Sequence, residues 1–196
     1  MITIVDYGMG NLRNVVRGFA EVGFEAVVTA DPVVVSGAGR LVLPGVGAFG
    51  EAVKRITDLG LREPILECAA RGTPLLGICL GMQLLFEESE ESRGARGLGL
   101  LKGCVVRFSR GLKVPHVGWN DVEPVSNSPL LTFEEPKTFY FVHSFYVPVV
   151  RWTTGKTGYG VEFSSAVQRE SIFGVQFHPE KSQQAGLDIL RNFATL

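Results

Sequence analysis

In the first half of the chain, short unbroken apolar runs alternate with stretches of helical spacing. "ITIVDYG" reads as a buried strand ending in a turn. Asn11 then opens a helix that places Leu12, Val15, Val16 and Phe19 on one face, and Gly23 stops it. "FEAVVTA" and "RLVLPG" are the second and third strands. Ala48 to Ala70 is helical with a break near Gly60, and Gly72 and Pro74 end it. "PLLGIC" is a fourth strand, and a short helix starts at Gly81. Strands alternating with helices predict a parallel sheet covered on both faces.

The pattern changes in the second half. "GCVVRFS", "HVGWNDVEPV", "TFYFVHSFYV", "GYGVEFSSAVQ" and "IFGVQFHP" are strand-like runs parted by Gly, Ser and Pro. Part of this half is expected to be antiparallel, as an additional layer. The tail "QQAGLDILRNF" is a helix whose Gly186, Ile189, Leu190 and Phe193 share a face. There is no internal repeat and no linker, so residues 1–196 are expected to form one α/β domain.

Composition narrows the function. At 196 residues the chain can bury a full core, and a formal net charge of −1 without charge blocks argues against a nucleic-acid or membrane surface. "MITIVDYGMGN" lacks the basic and apolar regions of a signal peptide, and a reducing cytoplasm is expected. The three cysteines, Cys68, Cys79 and Cys104, never form C-x-x-C, which indicates neither a disulfide framework nor a metal site. "GVGAFG", Gly45 to Gly50, matches a dinucleotide-binding pattern. The acid roughly 20 residues on is Glu67, inside a helical stretch rather than at a strand end, so no nucleotide cofactor is expected. Its glycines suit a backbone that aims N–H groups at a negative oxygen.

Candidate chemistry centres on Gly77-Ile78-Cys79-Leu80-Gly81. This is the layout of G-x-S-x-G with sulfur for oxygen, a sharp strand-to-helix turn with the nucleophile at its tip. The helix N-terminus favours a thiolate, and the Leu80 N–H is free for an oxyanion. The plainer alternative is a buried cysteine at a strand end. His178 and Glu180, in "GVQFHPEK", supply a base and an orienting carboxylate two residues apart, on one side if the chain there is extended. Cys68 and Cys104 read as packing residues.

Taken together, "GICLGMQ" and "FHPE" resemble the nucleophile turn and the His/Glu pair of the triad-type, class I glutamine amidotransferases. The resemblance runs the full chain, and it implies a flavodoxin-like fold and a glutaminase with no cofactor. Cys79 would attack the glutamine amide, His178 would move the protons and Glu180 would orient His178. The oxyanion would sit between the Leu80 N–H and an N–H of Val46 or Gly47. Gln83, His143, Ser144 and Phe145 would surround the substrate, although tyrosine usually stands where this chain has Phe145. "DYGMGNLRN", "LPGVGAFG", "VPHVGWN" and "HPEKSQ" resemble members that serve a (β/α)8-barrel cyclase in a heterodimer. Asn11, Trp119 and Lys181 are the expected partner contacts. Gln83 as an ordinary helix residue, His143 as a satisfied strand histidine and Trp119 as core are the competing readings. A peptidase of the same fold, or a binding module with an idle thiol, are the competing functions.

Overall fold

The computed structural model describes residues 1–109 and 111–196. Its first half runs β1 (Ile2–Val5), α1 (Leu12–Glu21), β2 (Ala26–Thr29), α2 (Pro32–Ser36), β3 (Leu41–Gly45), α3 (Phe49–Asp58), α4 (Arg62–Ala70), β4 (Leu75–Cys79) and α5 (Leu80–Leu84). The second half continues β5 (Phe86–Ser89), β6 (Leu101–Arg107), β7 (His116–Pro124), β8 (Lys137–His143), β9 (Phe145–Pro148), β10 (Thr153–Gly158), β11 (Glu162–Arg169) and β12 (Ile172–Val175). A 3-10 turn (Pro179–Lys181) and α6 (Gln183–Thr195) close it.

One sheet carries the fold, in the order β2-β1-β3-β4-β12-β11-β10-β7-β8. The first five strands in that order are parallel, and from β12 onward each pairing is antiparallel. β5, β6 and β9 branch from β11. The antiparallel half is therefore a continuation of the parallel sheet with a small side branch.

The parallel strands look uniformly apolar because both of their faces are buried, yet they alternate sides. Ile2, Ile4, Val42, Leu76 and Ile78 face Val15, Phe19, Ile189, Leu190 and Phe193 of α1 and α6. Val5, Leu41, Leu43 and Leu75 face α2, α3 and α4 through Val35, Phe49, Ile56, Ile65 and Cys68.

The helical stretch predicted over 48–70 with a break near Gly60 is two helices, α3 and α4, parted where Gly60 adopts φ +66°. Asp31 and Pro32 start the unforeseen α2, with the Asp31 carboxylate accepting from the Val33 N–H at 2.9 Å. The run "TFYFVHSFYV" is broken at Ser144 into β8 and β9. Among the described residues no helix is long and apolar enough to cross a membrane.

Candidate active site

The elbow forms where β4 meets α5. Cys79 is the N-cap of α5 and takes φ +54° and ψ −110°. A side chain at such angles costs about 1–3 kcal/mol and persists only where its surroundings impose it. Here they do. β4 is laddered on both sides, to β3 and to β12, up to the residue itself or its neighbour. A Cβ on Gly77 would stand 2.6 Å from the Gly81 carbonyl oxygen, and one on Gly81 would collide with the Leu43 carbonyl. The two glycines thus let the helix start directly against the sheet, which aims Sγ outward.

His178 arrives from the adjacent strand. The chain leaves β12, and the His178 N–H donates to Tyr140 O at 2.9 Å. Ser182 Oγ accepts from the Tyr140 N–H (3.0 Å) and donates to His178 O (2.6 Å), so β8 holds the turn at two points. The sequence reading expected extended chain from His178 to Glu180. Instead Pro179–Lys181 is a 3-10 turn, and it still brings the His178 Nδ1–H to Glu180 Oε1 at 2.8 Å. Both side chains are almost wholly buried. Nε2 is left facing Cys79, close enough to couple charges yet outside hydrogen-bond geometry. Burial alone would lower the His178 pKa. The charge of Cys79, then the hydrogen bond and charge of Glu180, outweigh it and hold His178 up at about 10. The site thus favours the imidazolium form of His178.

Two consequences follow from that shift. Stability contributed by the imidazolium is fully present below the unfolded value near 6.5 and is lost as pH rises through about 10. In Cys79→Ala the His178 midpoint is expected to fall, because its largest raising causes are gone. An NMR titration of the imidazole checks this, and an unmoved midpoint would assign the shift to Glu180 alone.

Cys79 opens on a cavity of about 310 Å³ lined by Val46, Gly47, Leu80, Gln83, His143, Ser144 and Phe145, together with Glu91, Pro115 and Val142. All the residues expected at the oxyanion and around the substrate therefore share one cavity. Val46 and Gly47 are exposed at the end of β3, and Gly47 has φ +110°. Gly45 lies beside Cys79 in register, and its missing side chain makes room for the Tyr7 hydroxyl, which donates to Pro44 O at 2.7 Å.

Gln83 is buried, not an open helix residue. Its Nε2 donates to Phe145 O and to Gln176 Oε1, both at 3.0 Å, which leaves its own Oε1 as the acceptor for the cavity. Phe145 therefore acts through its carbonyl, and the missing tyrosine hydroxyl has no part in this bond.

His143 has both ring nitrogens engaged. Nδ1 lies 2.8 Å from Phe145 O, so it carries the proton, and Nε2 accepts from His116 Nδ1 at 2.9 Å. His116 Nε2 in turn accepts from Asn120 Nδ2 at 3.2 Å. Burial drives both rings neutral, to about 3 for His143 and about 4 for His116. His143 walls the cavity and fixes the Phe145 carbonyl, and it has no free ring nitrogen for a substrate.

Glu91 escaped sequence reasoning. Its Oε2 accepts from the Phe49 N–H at 2.8 Å and caps α3, and it places a carboxylate in the cavity wall. Nothing near residue 91 marks this, because the contact returns across 42 positions.

The expected partner residues lie on the surface. Trp119 is half exposed rather than core, and its ring meets Tyr140 edge-on. Lys181 Nζ sits 5.6 Å from the same Tyr140 ring. Asn11 is exposed and makes no side-chain cap to α1. Among the described residues no cluster of three or more His, Cys, Asp or Glu side chains could hold a metal ion.

A cysteine at a strand–helix elbow, with a His/Glu pair in the turn that follows the adjacent strand, defines a class. The chain belongs to the class-I glutamine amidotransferase family, whose model matches residues 3–196. At finer grain it is 50% identical over 197 residues to the imidazole glycerol phosphate synthase subunit HisH of Methanothermobacter thermautotrophicus, covering 100% of this chain and 98% of that one. The subunit of that name from Moorella thermoacetica is 49% identical over 199 residues, with 100% and 94% covered. Among solved structures, a crystal structure of a glutamine amidotransferase shares the fold at TM-score 0.78 and 19% identity, covering 99% of this chain and 100% of that one. The structure of PurLQS from Thermotoga maritima shares it at TM-score 0.76 and 23% identity, with 99% and 97% covered.

Proposed function

We propose that the chain is the glutaminase subunit of an imidazole glycerol phosphate synthase. It hydrolyses glutamine and passes ammonia to a (β/α)8-barrel cyclase partner, in histidine biosynthesis and in the cytoplasm. The observation that supports this most is the opening of Cys79, the Leu80 N–H and the Val46–Gly47 backbone on one cavity beside the His178–Glu180 pair.

The steps then have assigned groups. Glutamine enters with its ammonium toward Glu91 and Gln83 Oε1. The Cys79 thiolate attacks the side-chain carbonyl carbon, and the oxyanion is held by the Leu80 N–H and an N–H of Val46 or Gly47. The intermediate collapses to a thioester as His178 gives its proton to the departing amine, which leaves as ammonia. Neutral His178 next takes a proton from water. The resulting hydroxide attacks the thioester, glutamate leaves and the thiolate–imidazolium pair is restored. Glu180 keeps His178 in the required tautomer throughout.

The test is reconstitution with the cyclase and its nucleotide-derived ribulosyl substrate. With glutamine as the nitrogen source, imidazole glycerol phosphate and aminoimidazole carboxamide ribotide are expected only when this chain is present. Equal product formation without it would overturn the proposal, and full glutamine turnover without any cyclase would favour a stand-alone hydrolase.

A further inference from the structure

We propose that Gln176 is a further catalytic residue, whose side-chain amide donates an N–H to Cys79 Sγ and keeps the sulfur ionised and aimed at the cavity. Gln176 directly follows β12, and its own N–H extends the ladder by donating to Ser165 O at 2.9 Å. Its neighbours Val175 and Phe177 point into the core beneath α1 and α6. Alternation sends Gln176 to the opposite side, where it is 0% exposed. A buried amide is costly unless its groups are bonded, and an apolar side chain of that size would avoid the cost.

The bonds it makes are specific. Nε2 lies 3.7 Å from Cys79 Sγ, and Oε1 accepts from Gln83 Nε2 at 3.0 Å. Gln83 Nε2 also serves Phe145 O, which sets the orientation of both amides: nitrogen of Gln83 inward, nitrogen of Gln176 toward sulfur. Other groups around the sulfur divide by the state they favour. Val142 O, 3.8 Å away, can accept from an S–H and so favours the thiol. The His178 imidazolium favours the thiolate. The buried Tyr7 hydroxyl stays protonated beside it, held so by burial and then by the Cys79 charge. Gln176 adds a fixed neutral donor, which a thiolate accepts far better than a thiol. Because Gln83 lines the cavity as well, its amide joins the substrate space to the nucleophile's own hydrogen bond.

This inference rests on the proposed role of Cys79, which fails separately if Cys79→Ala keeps its hydrolysis. The test is alkylation of the full chain by iodoacetamide across a pH series, followed at each cysteine by mass spectrometry. Exposed Cys104 serves as the internal control. In Gln176→Met, alkylation of Cys79 near neutral pH is expected to slow by about tenfold and its pH profile to move alkaline, with Cys104 unchanged. Gln176→Glu keeps the length and the acceptor for Gln83 but turns a carboxylate to the sulfur, and is expected to be slower still. Profiles that superimpose on the parent's would overturn the proposal. One measurement needs no change at Gln176: its side-chain amide proton resonance is expected to move upfield in Cys79→Ala. An unmoved resonance would also overturn it.

Discussion

Cys79→Ala is expected to lower glutamine hydrolysis by at least about 10⁴-fold while the chain stays folded. The sulfur is the cavity group that the His178 ring faces, and without it no thioester forms. The fold is expected to survive loss of the thiol, at the cost of the His178 coupling. The thiol's other contacts are a long hydrogen bond from Gln176 and an approach to Val142 O at 3.8 Å, whereas the elbow itself is imposed by Gly77, Gly81 and the ladders of β4. Glutamate release measured together with a thermal melt decides the matter. Residual activity above about 1% in a folded protein would place the nucleophile elsewhere.

A saturating cyclase with its nucleotide ligand is expected to raise glutamine hydrolysis by about 10²–10³-fold, the worth of one oxyanion donor. Two features motivate this. Val46 and Gly47 form an exposed loop end, with Gly47 at φ +110° and the Met9 methyl 2.6 Å from where a Cβ would stand. A β-branched residue between glycines suits two discrete peptide orientations, one presenting an N–H and the other a carbonyl. Second, Trp119 and Lys181 flank Tyr140, and the Tyr140 main chain holds His178 through its O and Ser182 through its N. A partner seated on those side chains bears on β8, which holds the turn that carries His178. Steady-state rates for the chain alone, with cyclase, and with cyclase plus ligand check this, and equal rates in all three would refute it. Lys181→Ala is expected to weaken activation without lowering the melting temperature.

The parallel half of the fold was legible because strands buried on both faces are apolar runs, and Gly60, Gly72 and Pro74 punctuate the helices between them. β5 ("FEES") and β10 ("TTGKTG") were not, since neither has enough apolar residues to show a period; their partners select them. The elbow was legible because Gly77 and Gly81 are demanded by local sterics. His178 and Glu180 were found through their closeness in sequence, although a 3-10 turn rather than extended chain brings them together. Glu91, Gln176 and the His116–His143 pair were beyond reach. Each takes its meaning from a contact dozens of residues away, and a lone Glu, Gln or His has no local signature of such a bond.

The position of β12 also sets an order of assembly. It is the last strand of the chain, yet it occupies the middle of the sheet, between β4 and β11. During synthesis β4 and its thiol emerge while the strand bearing the base is still about a hundred residues from completion. Only insertion of this final strand brings an imidazole against the sulfur and joins the two halves of the sheet. The long sequence separation makes that closure a late event. With the roles proposed above, reactivity at Cys79 is thereby deferred: a nascent or truncated chain lacking its last twenty-five residues carries a cysteine with neither His178 nor Gln176 beside it, and the two reach the sulfur only on completion of the core.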